Sequence, residues 1–593
     1  MAPRAIPIGH VDGRKVRLSA ARRASHMHVI GGTNQGKSRF LEHCIREDIL
    51  AGHGVCLIDP EGPLYKSIVE WCASLRLHET THRRRIHLFD PTNSDWRFRF
   101  NPLFVHEGEK PHHRVLNVIE ALAQVWDGEN SLRTPTIRDT IRVILTALIE
   151  KRYSLAEAFY LTKTHDVDRI VEFLTHGLSD PIVAEIWDGY RHMAEKSQRD
   201  HRAEFGGSRR RFAELLGEAE MRETFSAYES PIDLRACMEN GDIVLINLAP
   251  AGIGREPGQA LGALLVRELF YCADRRDPDY AEEKPFFAYI DECPKFLTSD
   301  IAEILAKSRK RGLRAILAHQ WLEQLGKPGD DIYEGVMAVQ NKVVFGGLKD
   351  KDAVILADEL FRTEYDLEIP VEALVKPSVV GYRRTWLNNW NESQGVAEIE
   401  AESTSLGDML SDVTGASTSQ TMTPNYDAFG FPTGQSVAAT ASATNAGRIA
   451  GQSSTTSRSH AHVASASRSQ GGSEVLEPFL TDSPTAVYSL ESVRHMAVVR
   501  LRNIPPRHAV VKGAATPSFD INTFEMKKPL VTPRMVANFT RAVLAQSPYC
   551  IPAAEARAAL SDRQQQLFEQ ARTFDPKYVR PALAPPEEED ALG

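Results

Sequence analysis

An α/β fold with a mostly parallel, doubly wound sheet is predicted by three observations. Short apolar runs alternate with helical stretches over the first hundred residues, and the same alternation resumes after residue 240. Between the two blocks lies a long segment of helical periodicity without a convincing strand. In the first block HVI (His28 to Ile30), VCLID (Val55 to Asp59) and IHLF (Ile86 to Phe89) read as strands. Helices are expected from about Lys37 to Leu50 and from Tyr65 to Leu75. Parallel strands need such crossover helices, which is why the alternation predicts this sheet.

From about Pro111 the pattern changes. Val115, Ile119, Leu122 and Trp126 recur at helical spacing, as do Ile137, Ile141, Val143, Ile144, Leu145 and Leu148. This predicts an all-α insertion over 110–235, dividing the α/β domain into a first part (1–109) and a second part (236–392). The insertion contains RHMAEKSQRDHRAEFGGSRRRF, whose arginines either face a nucleic acid or form a solvated helix face. In the second block DIVLINL (Asp242 to Leu248), FFAYI (Phe286 to Ile290), RAILAH (Arg314 to His319) and KVVFG (Lys342 to Gly346) read as strands. They alternate with helices near 256–273, 299–311 and 351–360.

After residue 392 the composition shifts to Ser, Thr, Ala, Gly and Gln. Few large apolar side chains remain to offset the entropy of ordering, so 393–474 reads as a low-complexity flexible linker, disordered on its own. A small C-terminal α+β region follows over 475–576, β first and then α. AVYSL, MAVVRLRNI and HAVVKG read as short strands, and Arg534 to Leu544 and Ala553 to Thr573 as helices. The stretch 577–593 reads as a disordered tail.

Composition bounds the partners. A chain of 593 residues with 42% hydrophobic and 25% charged residues buries at least one large core. The net charge of −9 leaves no global positive field, so any contact with nucleic acid must come from local basic patches. Seven cysteines without a CxxC pair make neither a disulfide scaffold nor a zinc site and fit a reducing interior. No apolar run approaches the ~18 residues of a bilayer span, and no secretory h-region opens the sequence. A soluble, cytoplasmic chain is expected, with peripheral docking at the inner membrane.

Gly31-Gly32-Thr33-Asn34-Gln35-Gly36-Lys37-Ser38 satisfies G-x-x-x-x-G-K-[ST] between a strand and a helix. Its glycines let backbone N–H groups wrap phosphates, and the helix N-terminus adds positive potential. Lys37 is expected to reach the β- and γ-phosphates of ATP, and Ser38 to ligate Mg²⁺. FFAYIDE supplies the partner: Asp291 for Mg²⁺ and Glu292 to polarise the attacking water. Asp59, at the end of the second strand, lies on the same carboxyl edge, where open sheets bind ligands. Arg22, Arg23, His26 and His28 precede the loop and are candidates to line the base or phosphate pocket. Lys307 to Arg314 holds five basic residues in eight and no acid. Within it Arg309 is a candidate arginine finger across a subunit interface, with Arg311 as its rival. Gln320, at the end of the following strand, is placed to sense the γ-phosphate.

Together GGTNQGKS, LIDPEGPLY, FNPL, DLRACMENGDIVLINLAPAGIG, FFAYIDECPKF, ILAKSRKRGLRAILAHQWLEQL and NKVVFGG resemble the conjugative coupling-protein ATPases of type IV secretion systems (TraG/TraD-like). These belong to the FtsK/HerA superfamily of DNA-translocating P-loop ATPases. The likeness covers about residues 8–390. It implies a RecA-like motor with an inserted all-α domain, six subunits in a ring around DNA, and ATP sites between subunits. The family's lysine falls on Lys37, its acidic pair on Asp291 and Glu292, its finger on Arg309, its sensing glutamine on Gln320 and its second-strand acid on Asp59. Coupling proteins usually begin with transmembrane helices and carry lysine or histidine where this chain has Glu61; here no such helix opens the sequence.

The leading expectation is an ATP-driven DNA translocase for conjugative or mobile-element transfer, with a relaxase or secretion-channel proteins as partners. The alternatives are a HerA-type helicase or translocase in repair or phage defence, and a protein-secretion or assembly ATPase that does not bind DNA.

Overall fold

Strands that run as continuous apolar sequence take the centre of the sheet, because only they tolerate burial on both faces. The computed structural model describes residues 4–80, 84–126, 135–162, 168–228, 232–361, 375–399, 409–426, 432–451, 461–484, 489–513 and 516–575. They divide into one unit drawn from 1–369 with 487–593 and another from 370–486.

The larger unit begins with β1 (Ile6–Val11), β2 (Arg14–Leu18), β3 (Met27–Ile30), β4 (Gly54–Asp59), β5 (Ile86–Phe89) and β6 (Trp96–Phe98). It continues with β7 (Ile243–Asn247), β8 (Phe286–Ile290), β9 (Leu313–His319) and β10 (Asn341–Phe345). The smaller unit holds β11 (Val375–Ile399), β12 (Met409–Tyr426), β13 (Pro432–Gly451) and β14 (Ala461–Pro484). The chain then returns to the larger unit with β15 (His508–Gly513), β16 (Thr516–Asn522) and β17 (Cys550–Pro552).

Eleven strands form one sheet in the order β2-β1-β16-β15-β10-β3-β9-β8-β4-β7-β5. From β10 to β5 every pairing is parallel. From β10 to β2 every pairing is antiparallel. The fold is therefore the expected α/β class, with a mostly parallel sheet, an all-helical insertion and a small C-terminal α+β segment. Residues of β3, β4, β7, β8, β9 and β10 are all buried, as their apolar runs require.

Between β6 and β7 the described residues contain helices and no strand. The helices are Pro111–Trp126, Pro135–Glu150, Asp168–Thr175, Pro181–Lys196, Gln198–Leu215, Ala219–Phe225 and Leu234–Asn240, with a 3₁₀ turn at Leu155–Thr162. Arg114 ties this insertion to the α/β core. Its guanidinium is 3% exposed and pairs with Glu268 of the helix Arg255–Asp274 and with Glu109. His106 closes the network on the other oxygen of Glu268 at 2.6 Å. Burial pushes the Glu268 carboxyl up, but the Arg114 guanidinium and the His106 hydrogen bond outweigh it and hold it down to about 2, so its pairing with Arg114 persists through any physiological pH. No helix of the described residues is long and apolar enough to cross a membrane.

Three features depart from the sequence reading. The hairpin β1–β2 was not anticipated, although Asp12-Gly13, both at positive φ, is the dipeptide that a tight two-residue turn favours. MAVVRLRNI is not a strand: Leu490–Arg502 is a helix whose first turn is capped by the Ser489 hydroxyl. Val493, Ala497 and Leu501 recur every four residues on its inner face, a period that the run of β-branched residues conceals. AVYSL overlaps residues outside those described, as does the tail 577–593. The third departure is that the C-terminal segment joins the larger unit. Strands β15 and β16 insert between β10 and β1, and β17 pairs with β6. Helix Pro533–Gln546 packs on Pro63–Ser74 and β5, and Ala553–Thr573 packs on the insertion, where Arg557 meets Glu223 at 3.0 Å.

In the smaller unit, β11 pairs antiparallel with β14 and β12 with β13. The low-complexity reading of 393–474 overlaps these four strands.

Because β15 and β16 complete the large sheet of the same unit, co-expressed fragments 1–369 and 487–593 are expected to copurify as one folded body. Recovery of the first fragment alone, with the unfolding temperature of the full chain, would contradict the shared sheet.

Candidate nucleotide site

The phosphate loop sits where β3 meets the helix Lys37–Ala51, and its glycines are required by contact as well as by wrapping. A Cβ on Gly31 would lie 2.4 Å from Phe345 Cβ, and one on Gly32 would lie 2.5 Å from the Gly347 carbonyl oxygen. Gly32 N–H instead donates to the Gly346 carbonyl at 2.9 Å. Gly36 caps the helix at φ +114, a conformation that L residues rarely adopt. Thr33, Asn34 and Ser38 are exposed at the mouth of the loop, and Gln35 is half-buried.

Lys37 is buried beneath them. Its ammonium donates to the carbonyls of Gly31 (2.5 Å) and Gly32 (3.2 Å), inside the curl that a phosphate group would occupy. Burial lowers its pKa, and the Glu292 and Asp291 carboxylates oppose the shift.

The acidic pair ends β8, and β9 lies between β8 and β3. Asp291 and Glu292 are 7% and 6% exposed, with Asp59 fully buried beside them. Burial and the two neighbouring carboxylates push the Asp291 carboxyl up to about 7, and Lys37 opposes them. Asp291 and Glu292 offer the carboxylate oxygens that a hard divalent cation takes. Asp59 does not present free oxygens: one accepts from Glu61 N–H (2.9 Å) and the other from Tyr65 N–H (2.8 Å), capping the helix Pro63–Ser74. It shapes the acidic floor.

Gln320 joins the two halves. Its Oε1 accepts from the Thr33 hydroxyl at 2.9 Å, and its Nε2 donates to Glu292 Oε1 at 2.6 Å. The carboxylate can only accept, which fixes the orientation of the amide. Glu292 itself sits at φ +45, an uncommon conformation for a non-glycine residue that turns its carboxylate toward this amide.

Arg309 is exposed at the end of the helix Ile301–Lys310, before β9 begins. Strand β9 then runs seven residues toward Gln320, so roughly 20 Å of sheet separates Arg309 from its own phosphate loop. Arg311 is engaged elsewhere, donating to the Arg276 carbonyl at 2.6 Å while its own carbonyl accepts from Arg276 at 3.1 Å.

The residues before the loop have partners within the fold. Arg23 pairs with buried Asp48, His26 bridges the Leu305 carbonyl and Ala315 N–H, and Arg22 stacks on Phe519. His28 meets His319 across β3 and β9, with their Nε2 atoms 2.7 Å apart and the rings stacked. His319 Nδ1 lies 2.9 Å from the Trp321 carbonyl, so it carries the proton and Nε2 accepts from His28. Burial holds the ring of His319 down to about 4 and that of His28 well below its ordinary value.

Two contributors escaped the sequence reading. Gln324, one turn beyond Gln320, also reaches Glu292, and Q-x-x-x-Q was the available signal. The other is the turn entering β15. Arg507, at φ +69, donates its N–H to the Gln35 carbonyl at 2.8 Å, and its Cα lies 3.3 Å from where a Gly36 Cβ would be. The Ile504 carbonyl packs against Gly346. A contact across some 470 residues leaves no local mark in a sequence.

No protein-family model and no curated protein sequence matches the chain. Among solved structures, it is similar to the plasmid coupling protein TrwB in complex with a non-hydrolysable ATP analogue, at 13% identity and a TM-score of 0.48, over 89% of this chain and 91% of that one. It is similar to TrwB in complex with ADP and Mg²⁺ at 14% identity and 0.45, over 89% and 92%. VirB4 of Thermoanaerobacter pseudethanolicus matches at 13% and 0.39, over 63% of this chain and 93% of that one.

The buried histidines carry a pH dependence. A histidine whose folded pKa is depressed binds its proton more readily when unfolded, so stability is full above the ordinary value near 6.5 and falls as pH drops toward 4. The unfolding temperature should fall between pH 7 and pH 5, and replacing both His28 and His319 with leucine should shrink that fall. An unchanged pH dependence in the double variant would show that the pair does not stay neutral in the fold.

Proposed function

We propose that this chain is an ATP-driven motor that translocates DNA, a coupling-protein-like ATPase serving conjugative or mobile-element transfer. The observation that carries the reading is the connection Thr33–Gln320–Glu292, which puts a phosphate loop and a buried acid under one side chain. In this reading Lys37 leaves the loop carbonyls for the β- and γ-phosphates, and Glu292 accepts a proton from the attacking water. Ser38 and Asp291 would hold Mg²⁺, which neutralises charge on the phosphates. Arg309 acts on a neighbouring subunit's nucleotide, since it lies at the far edge of its own sheet, and a ring of six such subunits closes the sites.

DNA contact is supported by the helix Gln198–Leu215, where Arg199, Arg202, Arg209 and Arg210 are exposed. Contact with the phosphate backbone needs no sequence preference and weakens steeply with salt. A relaxase or secretion-channel protein is the partner this role implies, with the motor working from the cytoplasm at the inner membrane.

Steady-state ATP turnover, measured with and without single- and double-stranded DNA at low and high salt, tests the proposal. DNA should raise the rate several-fold at low salt only, and Lys37→Ala should abolish turnover. Hydrolysis indifferent to every DNA would favour a protein substrate instead. Glu292→Gln should bind a non-hydrolysable ATP analogue normally yet lose about 10²–10⁴-fold in kcat. A Glu292→Gln variant of near-normal kcat would remove that residue from the chemistry.

A further inference from the structure

Both oxygens of Glu292 are occupied, and only one of the two donors is the glutamine that touches the phosphate loop. The second is Gln324, whose Nε2 donates to Glu292 Oε2 at 3.3 Å. The carbonyl end of the same amide accepts from the backbone N–H groups of Gln320 (2.9 Å) and Trp321 (3.0 Å). Its Oε1 is therefore fixed by two backbone donors, and the remaining NH₂ has one direction left, toward the carboxylate. The 3₁₀ turn Leu322–Leu325 that presents it is itself anchored, because Leu322 N–H donates to the Asp352 carboxylate at 3.1 Å.

From this geometry we propose that Gln324 is a positioning residue for hydrolysis: it holds the Glu292 carboxylate in orientation when Gln320 turns to the nucleotide. The proposal rests on the reading of Glu292 as the group that activates water. The two amides differ in what binding can do to them. Gln320 has its Oε1 on Thr33, at the mouth of the phosphate loop, so a γ-phosphate arriving there competes for the same partners and frees Glu292 Oε1 to face water. Gln324 has no contact with the loop. Its partners are backbone groups and Glu292 Oε2, none of which a nucleotide displaces. One oxygen is thus released while the other stays held, and the carboxylate cannot swing away when its first donor leaves. A general base must be correctly aimed before its basicity counts, so the loss of such a restraint is felt in kcat.

A purely structural role is also open to Gln324, since its Oε1 caps the turn after β9. Gln324→Glu separates the two roles: it keeps an oxygen for the two backbone N–H groups but replaces the donor to Glu292 with a second carboxylate. Gln324→Leu removes both. For wild type and both variants, kcat and KM for ATP, the Kd of a fluorescent non-hydrolysable ATP analogue and the unfolding temperature would be measured. The expected result for Gln324→Glu is a kcat lowered ten-fold or more, with KM, analogue Kd and unfolding temperature close to wild type. For Gln324→Leu the same loss of kcat is accompanied by a lower unfolding temperature. A Gln324→Glu chain with kcat within two-fold of wild type, or one whose loss appears in KM or analogue Kd instead, overturns the assignment while leaving the motor reading intact. A wild-type chain that binds and hydrolyses no ATP overturns both.

Discussion

Strand β9 separates the phosphate loop from the acidic pair, and the rest of the site follows from that placement. Neighbouring strands lie ~4.8 Å apart, so β3 and β8 carry their functional ends about 10 Å from each other. That gap is wide enough for a nucleotide's terminal phosphate and an attacking water, and too wide for Thr33 and Glu292 to meet directly. Gln320, at the carboxyl end of β9, spans it with one amide. Beneath the same strand ends, His28 and His319 join β3 to β9 through a stacked and hydrogen-bonded pair, which keeps the two edges in register.

The phosphate loop is also held from its other side. Strand β10 brings Phe345, Gly346 and Gly347 against Gly31 and Gly32, and the turn before β15 lays Arg507 on Gln35. A loop that must curl around phosphates has few contacts of its own, so its shape is borrowed from neighbours on both flanks. One of those neighbours comes from beyond residue 486. The C-terminal segment is in this sense part of the phosphate loop's foundation. Its strands continue the sheet while its helices cover β5 and the insertion.

What could be read from residues alone divides along physical lines. Central parallel strands are buried on both faces and spell out apolar runs, so VCLID, FFAYI and RAILAH announced themselves. The phosphate loop did so too, because its glycines and Lys37 answer to local geometry, and the acidic pair followed as the polar end of an apolar strand. MAVVRLR misled because a helix with one buried stripe can be composed of β-branched residues. Arg23, His26 and His28, candidates for the pocket by sequence, carry buried ion pairs and hydrogen bonds, because polar residues near a loop are as readily spent on the fold as on a ligand. The insertion of β15 and β16 between β10 and β1, and the role of Arg507, depend on long-range pairing. No spacing in the sequence encodes it.

The central claim is that Gln320 couples the phosphate loop to Glu292 through Thr33, and a double-mutant cycle on kcat tests it most directly. Thr33→Val removes the hydroxyl donor, Gln320→Leu removes the bridge, and the combined variant removes both. Residues that act as one unit are non-additive. The combined variant should therefore be no slower than Gln320→Leu alone. If the two losses multiply, Thr33 and Gln320 act independently, and the connection seen between them is not what couples nucleotide to acid.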